Sequence, residues 1–352
     1  MTVRRFLLFA SQPYALSILQ PVADAARARG DEVRWFLWQM QAGVLPADET
    51  VLTDPQQVRS FNPQAVFSAS NWVPLVFPGL KVQLFHGFNA EKRNAAKGHF
   101  RIRGMFDLYC TQGPATTGPF EALAGQHGYF KVAETGWSKL DPLFADAPVA
   151  ADMRFDNDKP VILFASTFTP ALSAAEPLYD TLRQLIAEGR YNWLLTLHPK
   201  MAPQTVARYR ALNAPNARFF TSERTLDLLR AADVMVCDTS SIIAEFQLQN
   251  RPAVTLRNRK PGPWLIDIDQ PQALPAALEQ ALQADEVLMH AIRERNNQLH
   301  PLRDGLSSQR ILQAVDNFEN LAPPLTRSRP LNLRRKLSHW LKLRKTQTAG
   351  SR

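Results

Sequence analysis

The chain has 352 residues, 45% apolar and 21% charged, a length that suits two domains with a tail and a composition that argues against wholesale disorder. Its formal net charge of +9 is matched by the nine Lys/Arg, without a single Asp or Glu, of residues 327–352, so residues 1–326 are formally neutral and give no global argument for nucleic acid. Cys110 and Cys237 lie far apart in apolar runs, which excludes a disulfide framework and a zinc site and points to buried thiols in a cytosolic compartment.

The start, MTVRRFLLFASQPYA, has two arginines before an apolar run, but Phe6–Ala10 is short for a secretory core and reads better as a first buried strand. No run approaches the ~18 apolar residues of a membrane span, so a soluble or peripheral protein is expected. A helix over 16–29 and a strand over 33–38 follow. Apolar runs recur at 65–70, 81–87, 107–113 and 130–136, several ending in Gly or small polar residues. Residues 145–160, with two prolines and several aspartates, read as a linker. The alternation then restarts, with strands at 160–167, 192–200, 217–222, 233–238 and 252–257 and helices at 176–188, 203–212, 225–231 and 240–249. Further helices are expected at 273–283, 285–297 and 306–319. Strand–loop–helix alternation implies parallel sheets with covering helices. The expected architecture is two Rossmann-like α/β domains, residues 1–150 and 151–320, with ligands at the carboxyl ends of the strands and in the cleft between domains. Residues 321–352 form a tail.

Five polar motifs stand out, four of them at such strand ends and one at a helix start. In VMVCDTSSIIAEF, Thr239, Ser240 and Ser241 are expected in the first turn of a helix, whose unpaired N–H groups and dipole favour an anion. The alternative is that Asp238 or Thr239 caps the helix itself. Glu245, one turn on, faces a sugar hydroxyl or stands as a solvated acid. In LTLHPK, His198 and Lys200 suit a pyrophosphate whose charge is neutralised as a leaving group departs. In QLFHGFNAEKRNAAKGHF, Gly87 is expected to turn the chain so that His86 points into the cleft, where a general base for an acceptor hydroxyl belongs. Lys92 follows on a basic stretch. TGWSKLD places Gly136 and Lys139 at a turn, and LRDGLSSQRI places Asp304 and Arg310 at a helix start. No Asp-x-Asp pair stands at a strand end and no His/Cys cluster has ligand spacing, so no metal or other cofactor is required.

Taken in order, His-Gly, Gly-x-x-Lys-Leu-Asp, a Ser/Thr strand end, His-Pro-Lys, Asp-x-Ser-Ser and Asp-Gly-x-x-Ser-x-Arg resemble the CDP-glycerol glycerophosphotransferase family, which builds teichoic-acid-type polymers. The similarity spans about residues 80–320. It implies a glycosyltransferase-B-like fold that holds CDP-glycerol mainly in the second domain. By the resemblance, His86 is the base on the acceptor hydroxyl and His198 contacts the donor pyrophosphate. Thr239, Ser240 and Ser241 bind its phosphates, Glu245 lies nearer the ribose or glycerol, and Ser166 and Thr167 line the same site. Gly87, Lys92, Gly136, Lys139, Asp304 and Arg310 are supporting residues. Thr239 stands where many members have an aromatic residue, and Trp137–Asp141 where many read Pro-Arg-Asn-Asp.

In the tail, Leu333, Leu337, Trp340 and Leu341 fall on one face of a helix with Arg334, Arg335, Lys342 and Lys345 mostly elsewhere. This is the composition of an interfacial helix on anionic lipid, so residues 327–345 are expected at the inner face of the plasma membrane, beside a glycan or lipid-linked polymer acceptor. A disordered tail or a helix docked on a partner is the alternative. The rival functions are a glycosyltransferase or nucleotide-sugar epimerase on the same fold, and a non-catalytic binding module.

Overall fold

The computed structural model describes residues 3–88 and 98–349, and the chain divides into two compact units, Met1–Phe144 with Leu299–Arg352, and Ala145–Gln298. The first unit begins with strands β1 (Arg5–Ala10), β2 (Glu32–Leu37), β3 (Ala65–Ser68), β4 (Leu80–Gln83), β5 (Leu108–Thr111) and β6 (Lys131–Glu134). Helices α1 (Leu16–Ala28), α2 (Pro55–Phe61), α3 (Pro114–His127) and α4 (Asp141–Phe144) connect or follow them. All strand pairs are parallel, in the order β2-β1-β3-β4-β5-β6. Phe6–Ala10 are buried throughout, as a strand covered on both faces requires, and hence read as one unbroken apolar run. Helix α2 went unread in the sequence. It is set by Asp54, whose carboxylate accepts from the Gln56 and Gln57 N–H groups at 2.6 and 3.0 Å, with Pro55 at the first helical position.

The second unit carries β7 (Val161–Ser166), β8 (Asn192–Leu197), β9 (Ala217–Phe219), β10 (Val234–Cys237), β11 (Ala253–Leu256) and β12 (Ile266–Ile268). Its helices are α5 (Ala175–Glu188), α6 (Pro203–Arg210), α7 (Thr225–Ala231), α8 (Ile242–Gln247), α9 (Leu274–Leu282) and α10 (Glu286–Leu299). The order β12-β11-β10-β7-β8-β9, again all parallel, is that of a dinucleotide-binding fold, with the reversal between β7 and β10. Ile162, Phe164, Leu182, Trp193, Tyr209 and Val236 centre its core. The expected linker is pinned to this unit, since Arg218 donates to the Asp152 and Arg154 carbonyls at 2.8 Å and Arg224 pairs with Asp152.

The chain then returns to the first unit through α11 (Ser307–Asp316) and α12 (Leu333–Ala349). Residues 299–320, expected in the second domain, therefore belong to the first. The Asp141 carboxylate accepts from the Ser307 and Ser308 N–H groups at 2.9 and 2.7 Å, capping α11 from outside the helix, and Ile311, Leu312 and Val315 are buried. Within the tail, α12 spans Leu333–Ala349, and one face of it packs on the first unit. Leu343 is 2% exposed in the cluster of Phe85, Tyr109 and Phe120, and His339 lies edge-on to Trp72 at 5.3 Å. Arg329 pairs with Asp107 at 2.7 Å. Leu333, Leu337 and Leu341 remain exposed. Among the described residues no helix is long and apolar enough to cross a membrane.

Candidate active site

In the second unit the strand ends at the sheet reversal converge on one carboxylate. Asp238, the residue after β10, is fully buried and is not the cap of α8, whose N-cap is Ser241. Its Oδ2 accepts from the Ser166 hydroxyl at 2.7 Å, the Thr167 N–H at 2.8 Å and the Ala174 N–H at 3.2 Å, tying β10 to both ends of the 167–174 loop. Burial pushes its carboxyl above the usual range against those hydrogen bonds. Phe168, on that loop, packs in a tilted arrangement against the His198 imidazole at 4.5 Å, with the Lys200 ammonium 5.8 Å from the Phe168 ring centre. The His198 N–H donates to the Ser166 carbonyl at 3.2 Å, and its Nδ1 accepts from the Lys200 N–H at 3.1 Å. That acceptor role fixes a neutral ring with its proton on Nε2. Burial, then Lys200, holds the imidazole below its ordinary pKa. Ser166, Thr167, His198, Lys200 and the Asp238 turn thus form one connected edge.

The hydroxyls of Thr239–Ser241 stand differently from the expectation. Helix α8 starts at Ile242, Ser241 is its N-cap without a side-chain cap bond, and Thr239 and Ser240 precede it. The cause is the loop after β11: Asn258 Nδ2 donates to the Asp238 carbonyl at 2.9 Å, and the Arg259 N–H to Thr239 Oγ1 at 3.0 Å, holding the turn out of helical geometry. Ser240 is half-buried and Ser241 exposed. Glu245 is 6% exposed, so the alternative of a solvated surface acid does not hold.

In the first unit the order reverses between β1 and β3, and their ends carry a hydroxyl cluster that sequence reading passed over. Ser11 and Ser70 are 2.8 Å apart, and Tyr14 packs on the His86 ring at 5.3 Å. His86 is exposed, and its Nδ1 lies 3.3 Å from the Ala69 carbonyl, a pairing in which Nδ1 carries the proton and Nε2 is the basic nitrogen. The turn before it is made by Phe85 and not, as expected, by Gly87: Phe85 has φ +58° while Gly87 has no left-handed backbone. Packing of the Phe85 ring on Phe120 at 5.0 Å and on His99 at 4.7 Å holds that conformation. Lys92 lies outside the described residues.

Gly136, Lys139, Asp304 and Arg310 belong to another place, the clasp that seats α11. Gly136 has φ +79°, and a Cβ there would stand 2.5 Å from Ser307 Oγ and 3.1 Å from His300 Nε2. The buried His300 accepts from the Trp137 N–H at 2.8 Å, and burial holds its pKa down to about 4. Asp304 pairs with Arg310, and the Lys139 ammonium lies 5.1 Å from the Trp137 ring centre. Both cysteines are buried thiols, and no group of three His, Cys, Asp or Glu among the described residues could hold a metal ion.

Residues 92–260 match the model of the family described as CDP-glycerol:poly(glycerophosphate) glycerophosphotransferase, so the resemblance read from the motifs holds at the level of family over that segment. No curated protein matches the chain in sequence. Among solved structures, the wall teichoic acid polymerase TagF superposes with a TM-score of 0.65 at 14% identity, covering 90% of this chain and 89% of its own. A variant of TagF soaked with CDPG gives 0.62 at 13% identity over the same shares. The S. aureus MnaA–UDP structure gives 0.62 at 14% identity, covering 92% of this chain and 99% of its own. These likenesses establish the fold as glycosyltransferase-B-like.

Proposed function

From a chain that carries the signature of the CDP-glycerol:poly(glycerophosphate) glycerophosphotransferases over residues 92–260, we infer an enzyme that moves glycerol phosphate from CDP-glycerol to an acceptor hydroxyl. The acceptor oxygen forms a bond to the β-phosphorus, the bridging P–O bond breaks, CMP leaves, and His86 Nε2 takes the hydroxyl proton. The observation that carries the reading is the His198 ring: its Nδ1 is occupied by the Lys200 N–H, which leaves Nε2–H as a donor for the leaving oxygen. The Lys200 ammonium adds charge there, and a metal is not needed in this account. Ser240 and Ser241 offer hydroxyls to the phosphates. Thr239 Oγ1 already accepts a hydrogen bond, so its own proton is the one to give.

A second reading, a nucleotide-sugar enzyme, draws on the fold likeness to a structure described as a putative UDP-N-acetylglucosamine 2-epimerase from Listeria monocytogenes, at 14% identity and a TM-score of 0.64. A panel of CDP-glycerol, CDP- and UDP-sugars separates the two: CMP from CDP-glycerol supports the transferase, and nucleotide released only from a sugar donor supports the second.

The acceptor in this account is a glycan or lipid-linked polymer at the inner membrane face. Support comes from the exposed row Leu333, Leu337 and Leu341, beside Arg334 and Lys342, on a helix whose opposite face is docked. Cytoplasmic residence with peripheral attachment follows from the same reading.

A further inference from the structure

The loop after β11 reads Arg257-Asn258-Arg259-Lys260 and is absent from the motif set. It nevertheless joins the phosphate turn by two hydrogen bonds. Asn258 Nδ2 holds the Asp238 carbonyl at 2.9 Å, and the Arg259 N–H holds Thr239 Oγ1 at 3.0 Å. The loop is itself fixed: the Asn258 N–H donates to Asp267 Oδ1 at 2.9 Å, and Asn258 Oδ1 accepts from the Lys260 N–H at 2.9 Å. Asp267 is further engaged by the Thr255 hydroxyl at 2.6 Å. The first cation is committed, since Arg257 Nε donates to the Asp269 carbonyl at 2.8 Å. Arg259 is exposed, and no hydrogen bond or ion pair of its guanidinium is recorded among the described residues.

Charge arithmetic gives this cation a task. A nucleoside diphosphate ester carries one negative charge on each phosphate, and the buried Asp238 lies next in sequence to Thr239. Lys200, on the far side of β7 in strand order, supplies one cation. A planar fork suits two phosphate oxygens better than a second ammonium would. We propose that Arg259 is a phosphate-binding residue for the pyrophosphate of a nucleoside diphosphate donor, delivered to the Thr239–Ser241 turn by the hydrogen bonds of its own backbone. This rests on the donor reading above.

The test is calorimetric titration of the full chain with CDP and with cytidine. Arg259→Gln should weaken CDP about 10- to 100-fold, the loss of one charge-assisted contact, while cytidine, which lacks phosphate, binds as before. Arg259→Lys should recover part of the loss, and Arg183→Gln, an exposed cation on α5, should change nothing. Unchanged CDP affinity in Arg259→Gln, with Lys200→Gln and Ser240→Ala both weakened, overturns the inference and leaves the donor reading standing. A wild-type chain that binds neither CDP nor CDP-glycerol overturns both.

Discussion

Replacing Asp238 distinguishes the geometry of its carboxylate from its charge. In Asp238→Ala three hydrogen bonds vanish together. The Ala174 N–H retains the Ser166 hydroxyl at 3.1 Å, but the Thr167 N–H has no second acceptor recorded and becomes an orphan donor. One such donor costs about 1–3 kcal/mol, and the small void adds about 1 kcal/mol, so Asp238→Ala should lose about 2–4 kcal/mol. Asp238→Asn keeps an oxygen for the same donors. Burial raises the folded pKa of Asp238 above its unfolded value, so ionisation costs stability at neutral pH, and the neutral amide should cost less than about 1 kcal/mol. In the wild type this group's contribution is fully present below the unfolded pKa and is lost as pH rises through the raised folded one. The Asn variant should lack that pH dependence. Urea unfolding followed by fluorescence of Trp193, buried in the same unit, reads all three effects. Equal losses for Ala and Asn, or a loss below 1 kcal/mol for Ala, would refute the reasoning.

Burial and Lys200 both depress the His198 imidazole, so Lys200→Gln should raise its pKa toward the ordinary histidine value, as NMR titration of the ring would show. Gly136→Ala places a Cβ at φ +79° against Ser307 and His300, and should cost about 2–4 kcal/mol in chemical denaturation. Exchanging Leu333, Leu337 and Leu341 for serine should abolish flotation with acidic vesicles while leaving unfolding unchanged; deletion of the tail is a poorer test, since Leu343 is part of the core.

The two parallel sheets were legible because a strand covered on both faces needs an apolar run such as Phe6–Ala10, and a run that ends in small polar residues marks the sheet's carboxyl edge. By that rule His86, His198 and Ser166 were placed at or just beyond strand ends, and the structure has them there. The domain boundary was not, because the bonds from Asp141 to Ser307 and Ser308 join positions remote in sequence that each look like an ordinary turn or helix start. The same holds for the turn at His86, which depends on Phe85 being packed among aromatic rings in a conformation expected of glycine. The role of Asp238 and the Asn258–Arg259 tether are long-range hydrogen bonds, invisible to periodicity; four polar residues directly after the Val-Thr-Leu strand were their one local sign.

The central claim is transfer from CDP-glycerol, and phosphorus NMR of the full chain incubated with that donor and a polyol acceptor tests it most directly. The account predicts that the paired pyrophosphate signals decay while a CMP monoester and a phosphodiester grow in equal amounts, and that His86→Gln and His198→Ala both halt the exchange. An intact pyrophosphate, or CMP formed at the same rate in both variants, would contradict it.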